Sequence, residues 1–185
     1  RLKIEYVDAL PLRDWAPALV GDAGVARQLV ERVAHILDAV HGAGLLHRDV
    51  SPSNLLLPDG DAADAHLIDF GGATASGEAV FRTGTLPYRA PEVDAGGAAS
   101  AGSDVYSLGV VVFETYAGRL PYGERDGAPA KDLLIPLAPE ERNGLGRLAD
   151  VLEAMTEPDP ARRYGTPREV LNALHEAGEQ PGSTT

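Results

Sequence analysis

Eight consecutive residues, His47-Arg48-Asp49-Val50-Ser51-Pro52-Ser53-Asn54, hold the side chains best suited to chemistry. A carboxylate five residues ahead of an amide on one loop suits phosphoryl transfer. The aspartate can accept a proton from an attacking hydroxyl, and the asparagine oxygen can ligate a magnesium ion. His-Arg-Asp alone carries little, because three common polar residues recur by chance. Fifteen residues beyond Asn54 stands Asp69-Phe70-Gly71, preceded by the apolar Leu67-Ile68. It offers a carboxylate to the same cation as Asn54.

The elements that must position these groups are legible in the periodicity. Val25, Leu29, Val33, Ile36, Leu37 and Val40 fall at helical spacing, with Asp22 able to cap the start and Gly42 and Gly44 to end it. This helix feeds the loop. His35 and His41 lie along it as ordinary surface or core histidines. Leu55-Leu56-Leu57, the turn signal Pro58-Asp59-Gly60 and a second run from Ala65 to Ile68 predict a hairpin. Asn54 and Asp69 then stand at its two ends, facing one site. Residues 71–92 hold few periodic apolar positions, and a loop of that length is more often functional than accidental.

Composition narrows the classes. The chain has 185 residues, 44% of them hydrophobic, enough for one well-cored domain. A net charge of −12 argues against a nucleic-acid-binding surface. With no cysteine, disulfides, thiolate zinc sites and cysteine nucleophiles are excluded, and a cytoplasmic setting fits. No apolar run approaches a membrane span.

His-Arg-Asp…Asn and Asp-Phe-Gly in this order resemble the catalytic and metal-binding loops of the eukaryotic-type (Hanks-type) serine/threonine protein kinases. Gly84-Thr85-Leu86-Pro87-Tyr88-Arg89-Ala90-Pro91-Glu92 resembles the end of that family's activation segment. Small-molecule phosphotransferases sharing the fold usually lack Ala-Pro-Glu. The resemblance implies a mainly α large (C-terminal) lobe with a small β-hairpin, the small lobe being absent. Residues 1–15 become the last small-lobe strand and hinge, 16–177 the large lobe, and 178–185 a flexible tail. For Ser103 to Tyr116, periodicity favours a buried strand at Val110-Val111-Val112-Phe113, whereas the resemblance implies the lobe's central buried helix.

The resemblance also implies roles. Asp49 would be the catalytic base, Asn54 and Asp69 the ligands of Mg2+ (or Mn2+), and ATP the cofactor. Backbone near Glu5 and Val7 would hydrogen-bond the adenine, and Leu56 would contact the nucleotide. Thr85 would steady Asp49 and the incoming serine or threonine of a protein substrate. Gly71 would let the backbone turn beside the metal, with His47 and Phe70 structural. Arg48 would face a phosphorylated Thr83, Thr74 or Ser76. Asp104 would hydrogen-bond the catalytic-loop backbone, and Arg163 would pair with Glu92.

Farther along, residues 118–143 leave room for a short helix around Ala130 to Leu134. Leu145, Leu148, Ala149, Leu152 and Met155 predict one amphipathic helix, and Thr166-Pro167-Arg168-Glu169 a capping box opening the last.

Two departures stand out. There is no Gly-x-Gly-x-x-Gly loop, no strand lysine for the α- and β-phosphates and no partner glutamate, and Lys3 and Lys131 sit in the wrong places to substitute. The expectation is a fragment that lacks its small lobe or an upstream segment. A single-lobe pseudokinase or interaction module is the alternative. Second, Ser51 stands where the family usually has lysine, and losing one preorganised donor costs on the order of 10² to 10³ in rate.

Overall fold

The interior is organised by a helix that is apolar on nearly every side, α4 (Ala101–Ala117). Such a helix is stable only when other elements encase it, and α4 packs against α1 (Leu12–Leu19), α2 (Ala23–Gly42), α6 (Leu148–Met155) and α7 (Pro167–Gly178). Burial from all directions decides against a strand at Val110–Phe113. Ser100 and Ser103 close a reciprocal capping box at its start, and Gly118, at φ 68°, ends it. The structure, a computed structural model, describes residues 7–75 and 84–178. It is mostly helical with small sheets.

Helix α2 begins at Asp22, whose carboxylate accepts from Val25 N at 3.0 Å. It ends at Gly42. Its apolar stripe, Leu29, Val30, Val33 and Leu37, is fully buried. Beyond it, β2 (Leu45–Leu46) pairs antiparallel with β5 (Thr74–Ala75). A three-stranded sheet runs β1 (Leu10–Pro11), β3 (Leu55–Leu57), β4 (His66–Leu67), all antiparallel. The β3–β4 connection is longer than a simple turn: two 3-10 turns, Pro58–Gly60 and Ala62–Asp64, occupy it. Within the long loop after residue 71, Pro91–Asp94 forms the short helix α3. Helix α1 begins at Leu12 and runs across the expected boundary between 15 and 16.

Three expectations are corrected. Residues 130–134 are not helical: β6 (Tyr122–Arg125) and β7 (Ala128–Leu134) form an antiparallel hairpin. Asp126 (φ 54°) and Gly127 (φ 76°) make its two-residue turn, the left-handed pair that Asp-Gly adopts with little strain. The helix predicted over Leu145 to Met155 is two helices, α5 (Pro139–Leu145) and α6, separated at Gly146 with φ 57°. At the start of α7, Glu169 N donates to Thr166 Oγ1, but the Glu169 carboxylate returns to Gly165 N instead of Thr166 N, so the box is offset by one residue.

Candidate active site

Asp49 is held from both sides. Its Oδ1 accepts from Thr85 N at 2.8 Å and from Thr85 Oγ1 at 2.9 Å, and its Oδ2 accepts from Asn54 Nδ2 at 3.0 Å. The same Asn54 nitrogen donates to Asp49 O at 2.9 Å. With both amide hydrogens committed to Asp49, the acceptor oxygen Oδ1 is the atom Asn54 has left for a ligand. Ile68 N donates to Asn54 O at 2.9 Å, extending the β3–β4 ladder by one rung. Asn54 and Asp69 therefore leave the sheet side by side.

Asp69 is exposed and left-handed at φ 62°, a conformation uncommon outside glycine. Its Oδ1 accepts from Gly71 N at 3.1 Å, and a Cβ on Gly71 would stand 2.9 Å from that oxygen. Glycine here keeps the carboxylate from being crowded aside. An amide oxygen beside one carboxylate matches a magnesium ion that keeps its waters and takes other ligands from substrate phosphates. Among the described residues no cluster of three or more His, Cys, Asp or Glu competes as an all-protein cage.

The loop that presents Asp49 is anchored on α4. Asp104, 1% exposed, accepts from His47 N at 2.9 Å and His41 Nε2 at 2.8 Å through Oδ2, and from Arg48 N at 2.8 Å through Oδ1. Arg48 itself is left-handed at φ 72°, which costs roughly 1 to 2 kcal/mol for a non-glycine residue. The charge-assisted bond to its N–H offsets that strain. His47 is fully buried, with Nε2–H donating to Ile68 O at 3.1 Å and Nδ1 accepting from Asp49 N at 3.3 Å. Burial lowers its pKa, against the pull of Asp104 and the Ile68 carbonyl, and an Nδ1 that accepts from Asp49 N belongs to the neutral ring. The Phe70 ring meets it edge-on at 4.8 Å, although Phe70 is otherwise largely exposed.

The segment from Gly84 closes the site. Gly84 has φ 97°, and a Cβ there would lie 2.5 Å from Arg48 O. No other residue permits this approach of the segment to the loop that carries Asp49. At the segment's far end the Glu92 carboxylate receives a bidentate pair from Arg163, at 2.8 and 3.1 Å.

A family model described as the protein kinase domain matches residues 2–175. The chain belongs to this family. It is of the Hanks serine/threonine type, as its relatives indicate. It is 32% identical over 181 residues to the serine/threonine-protein kinase PknI of Mycobacterium tuberculosis, covering 95% of this chain and 28% of that one. It is 32% identical over 146 residues to the serine/threonine-protein kinase Pkn1 of Myxococcus xanthus, covering 75% of this chain and 21% of that one. A probable serine/threonine-protein kinase of Clostridium perfringens is 28% identical over 196 residues, covering 98% and 28%. The chain thus spans under a third of the length of these relatives.

Leu56 sits on β3 between the fully buried Leu55 and Leu57 and faces the opposite, half-exposed side of the sheet. Val7 is half-buried and outside any strand, and Thr74 lies on β5 opposite Leu46. Glu5, Ser76 and Thr83 lie outside the described residues. Arg48 lines a small cleft with Arg89, Ala90, Val93 and Ser107. Ser51 is 1% exposed, and its hydroxyl has no hydrogen-bond partner among the described residues. Sequence reasoning passed over His41, whose helical spacing carried no sign that it would reach Asp104. The partners of the buried Lys131 likewise come from the fold alone.

Proposed function

We propose that this chain is the large-lobe portion of a serine/threonine protein kinase catalytic domain, which transfers the γ-phosphoryl group of ATP to a serine or threonine hydroxyl of a protein. Asp49 orients that hydroxyl and takes its proton, while Asn54 Oδ1 and the Asp69 carboxylate would hold the Mg2+ of the nucleotide. When bound, that ion would neutralise charge developing on the phosphates. Thr85 fixes the carboxylate through two bonds to Oδ1, and Asn54 fixes Oδ2, so Asp49 meets the acceptor already oriented. His47 and Asp104 hold the backbone on which Asp49 sits. The clamp on the α- and β-phosphates, not encoded in these 185 residues, comes in this reading from a small lobe elsewhere in the protein, in the cytoplasm.

The observation that carries the reading is the three-point hold on the Asp49 carboxylate by Thr85 and Asn54. The experiment uses the full-length protein with labelled ATP and a serine- or threonine-containing acceptor. Asp49→Asn should abolish transfer, and transfer at the wild-type rate would refute the assignment of the base.

A second reading, a catalytically impaired pseudokinase, is favoured by one observation: the buried Ser51 hydroxyl presents no charge to the phosphates. Thermal stabilisation by ATP that depends on Mg2+ separates the two readings, because a pure interaction module gains none.

A further inference from the structure

Lys131 lies on β7, far in sequence from every motif above, and is 7% exposed. A lysine ammonium has three N–H donors, and burying one is costly unless each is satisfied. Here each finds an oxygen: Leu86 O at 2.9 Å, Arg89 O, and the Asp94 carboxylate. All three acceptors belong to the segment and short helix that follow Thr85. The same hairpin reaches the segment once more, where Tyr122 OH donates to Pro87 O. The Tyr122 ring stands 6.0 Å from the Lys131 ammonium. Arg89 Nε lies 3.2 Å from the other Asp94 oxygen, so Asp94 serves two cations.

The carbonyls of three of four consecutive residues, Leu86, Pro87 and Arg89, are therefore capped from the β6–β7 hairpin. Thr85 precedes them and carries the two bonds to Asp49. Ser51, in the place of the usual lysine, contributes no cation to this side of the site. Burial lowers the Lys131 pKa while Asp94 opposes that shift.

We propose that Lys131 is a positioning residue for the acceptor-binding segment, holding Leu86–Arg89 so that Thr85 stays against Asp49 and the acceptor polypeptide finds a preformed seat. The role rests on the kinase reading given above. It makes the β6–β7 hairpin part of substrate recognition, whereas nucleotide binding depends on the separate Asn54–Asp69 edge.

The test uses the full-length kinase and its Lys131→Met variant, which keeps the apolar stem and removes the ammonium. Steady-state kinetics with a serine-containing acceptor peptide give KM and kcat. The KM for ATP serves as the control on the intact nucleotide site. The peptide kcat/KM is expected to fall by about tenfold to a hundredfold, while the KM for ATP stays within about twofold of wild type. Peptide kcat/KM unchanged, or the KM for ATP rising in step with its loss, overturns the proposal. Hydrogen exchange gives a readout that needs no activity. Amides of residues 84–92 should exchange faster in the variant and those of 45–54 should not; equal rates at 84–92 overturn the anchoring. A wild-type protein that transfers no phosphate would refute the kinase reading, and exchange would still decide the role of Lys131.

Discussion

Arg163 is where the fold is most exposed to a single change. Its side chain is 0% exposed, and its five N–H groups are matched one to one. Nη1 donates to Glu92 Oε1 at 2.8 Å and Gly102 O at 3.0 Å. Nη2 donates to Glu92 Oε2 at 3.1 Å and Pro158 O at 3.2 Å, and Nε to Glu157 O at 2.9 Å. The guanidinium also stacks over the Tyr106 ring at 4.7 Å. One side chain thus ties α3, the start of α4 and the loop after α6. Arg163→Met preserves bulk and removes every one of these bonds. Breaking a buried pair by deleting one partner costs about 3 to 5 kcal/mol, a large part of the roughly 5 to 15 kcal/mol that stabilises a domain.

The converse change, Glu92→Gln, strands the buried guanidinium but leaves its three carbonyl acceptors, so about 1 to 3 kcal/mol is expected. Each single variant leaves an unpaired group that the double variant does not. The pair should therefore couple by about 1 to 3 kcal/mol, the double being less destabilised than the sum. Urea unfolding followed by fluorescence of Trp15, the one tryptophan in the sequence, measures all four proteins. With a slope of about 2 kcal/mol per molar urea, Arg163→Met should lower the midpoint by about 1.5 to 2.5 M. A shift under about 0.5 M, or two single effects that add within about 0.5 kcal/mol, would sink the reasoning.

Gly84→Ala must either hold a non-glycine residue at φ 97° with its Cβ 2.5 Å from Arg48 O, or move the segment off the catalytic loop. In the full-length kinase the transfer rate should fall by about 10²-fold while unfolding shifts by only about 1 to 2 kcal/mol, and rate measurements with thermal melts check the split. Because burial lowers the His47 pKa below its ordinary 6.5, the unfolded chain binds the proton more readily than the folded one. The stabilisation from neutral His47 is therefore complete above about pH 6.5 and is lost as pH falls through the lowered folded value. Melting curves from pH 8 to 5 should show this decline, and His47→Asn should flatten it.

Much of this site was legible because its motifs are short and local. Asp49 and Asn54 share one loop, and Asp69 follows the next strand, so a hairpin pattern placed them together. What escaped were contacts that only the tertiary fold creates. His41 looks like any histidine on an amphipathic helix, and nothing in its neighbourhood points to Asp104, 63 residues away. Lys131 carries no local signature either, since its acceptors on Leu86, Arg89 and Asp94 lie 45, 42 and 37 residues away. The β6–β7 hairpin differs, because its signal is local: Asp126-Gly127 between strand-like runs is a strong turn signal, which outweighs the short helix expected around Ala130 to Leu134. The strand propensity of Val110–Phe113 failed in the opposite sense, since packing from several helices overrode it.

The contacts hidden from the sequence are also those that hold the site in shape. Two of its backbone turns, at Arg48 and Asp69, occupy left-handed conformations that neither residue favours in isolation. A short loop cannot hold such geometry on local interactions alone. The fold supplies what is lacking through long-range bonds: Asp104 to Arg48 N across 56 residues, and Thr85 to the Asp49 carboxylate across 36. The orientation of the Asp49 carboxylate is consequently set by the seating of α4 and of the Gly84–Glu92 segment. The residues that hold those two elements, Arg163 at one end and Lys131 at the other, govern it without touching it.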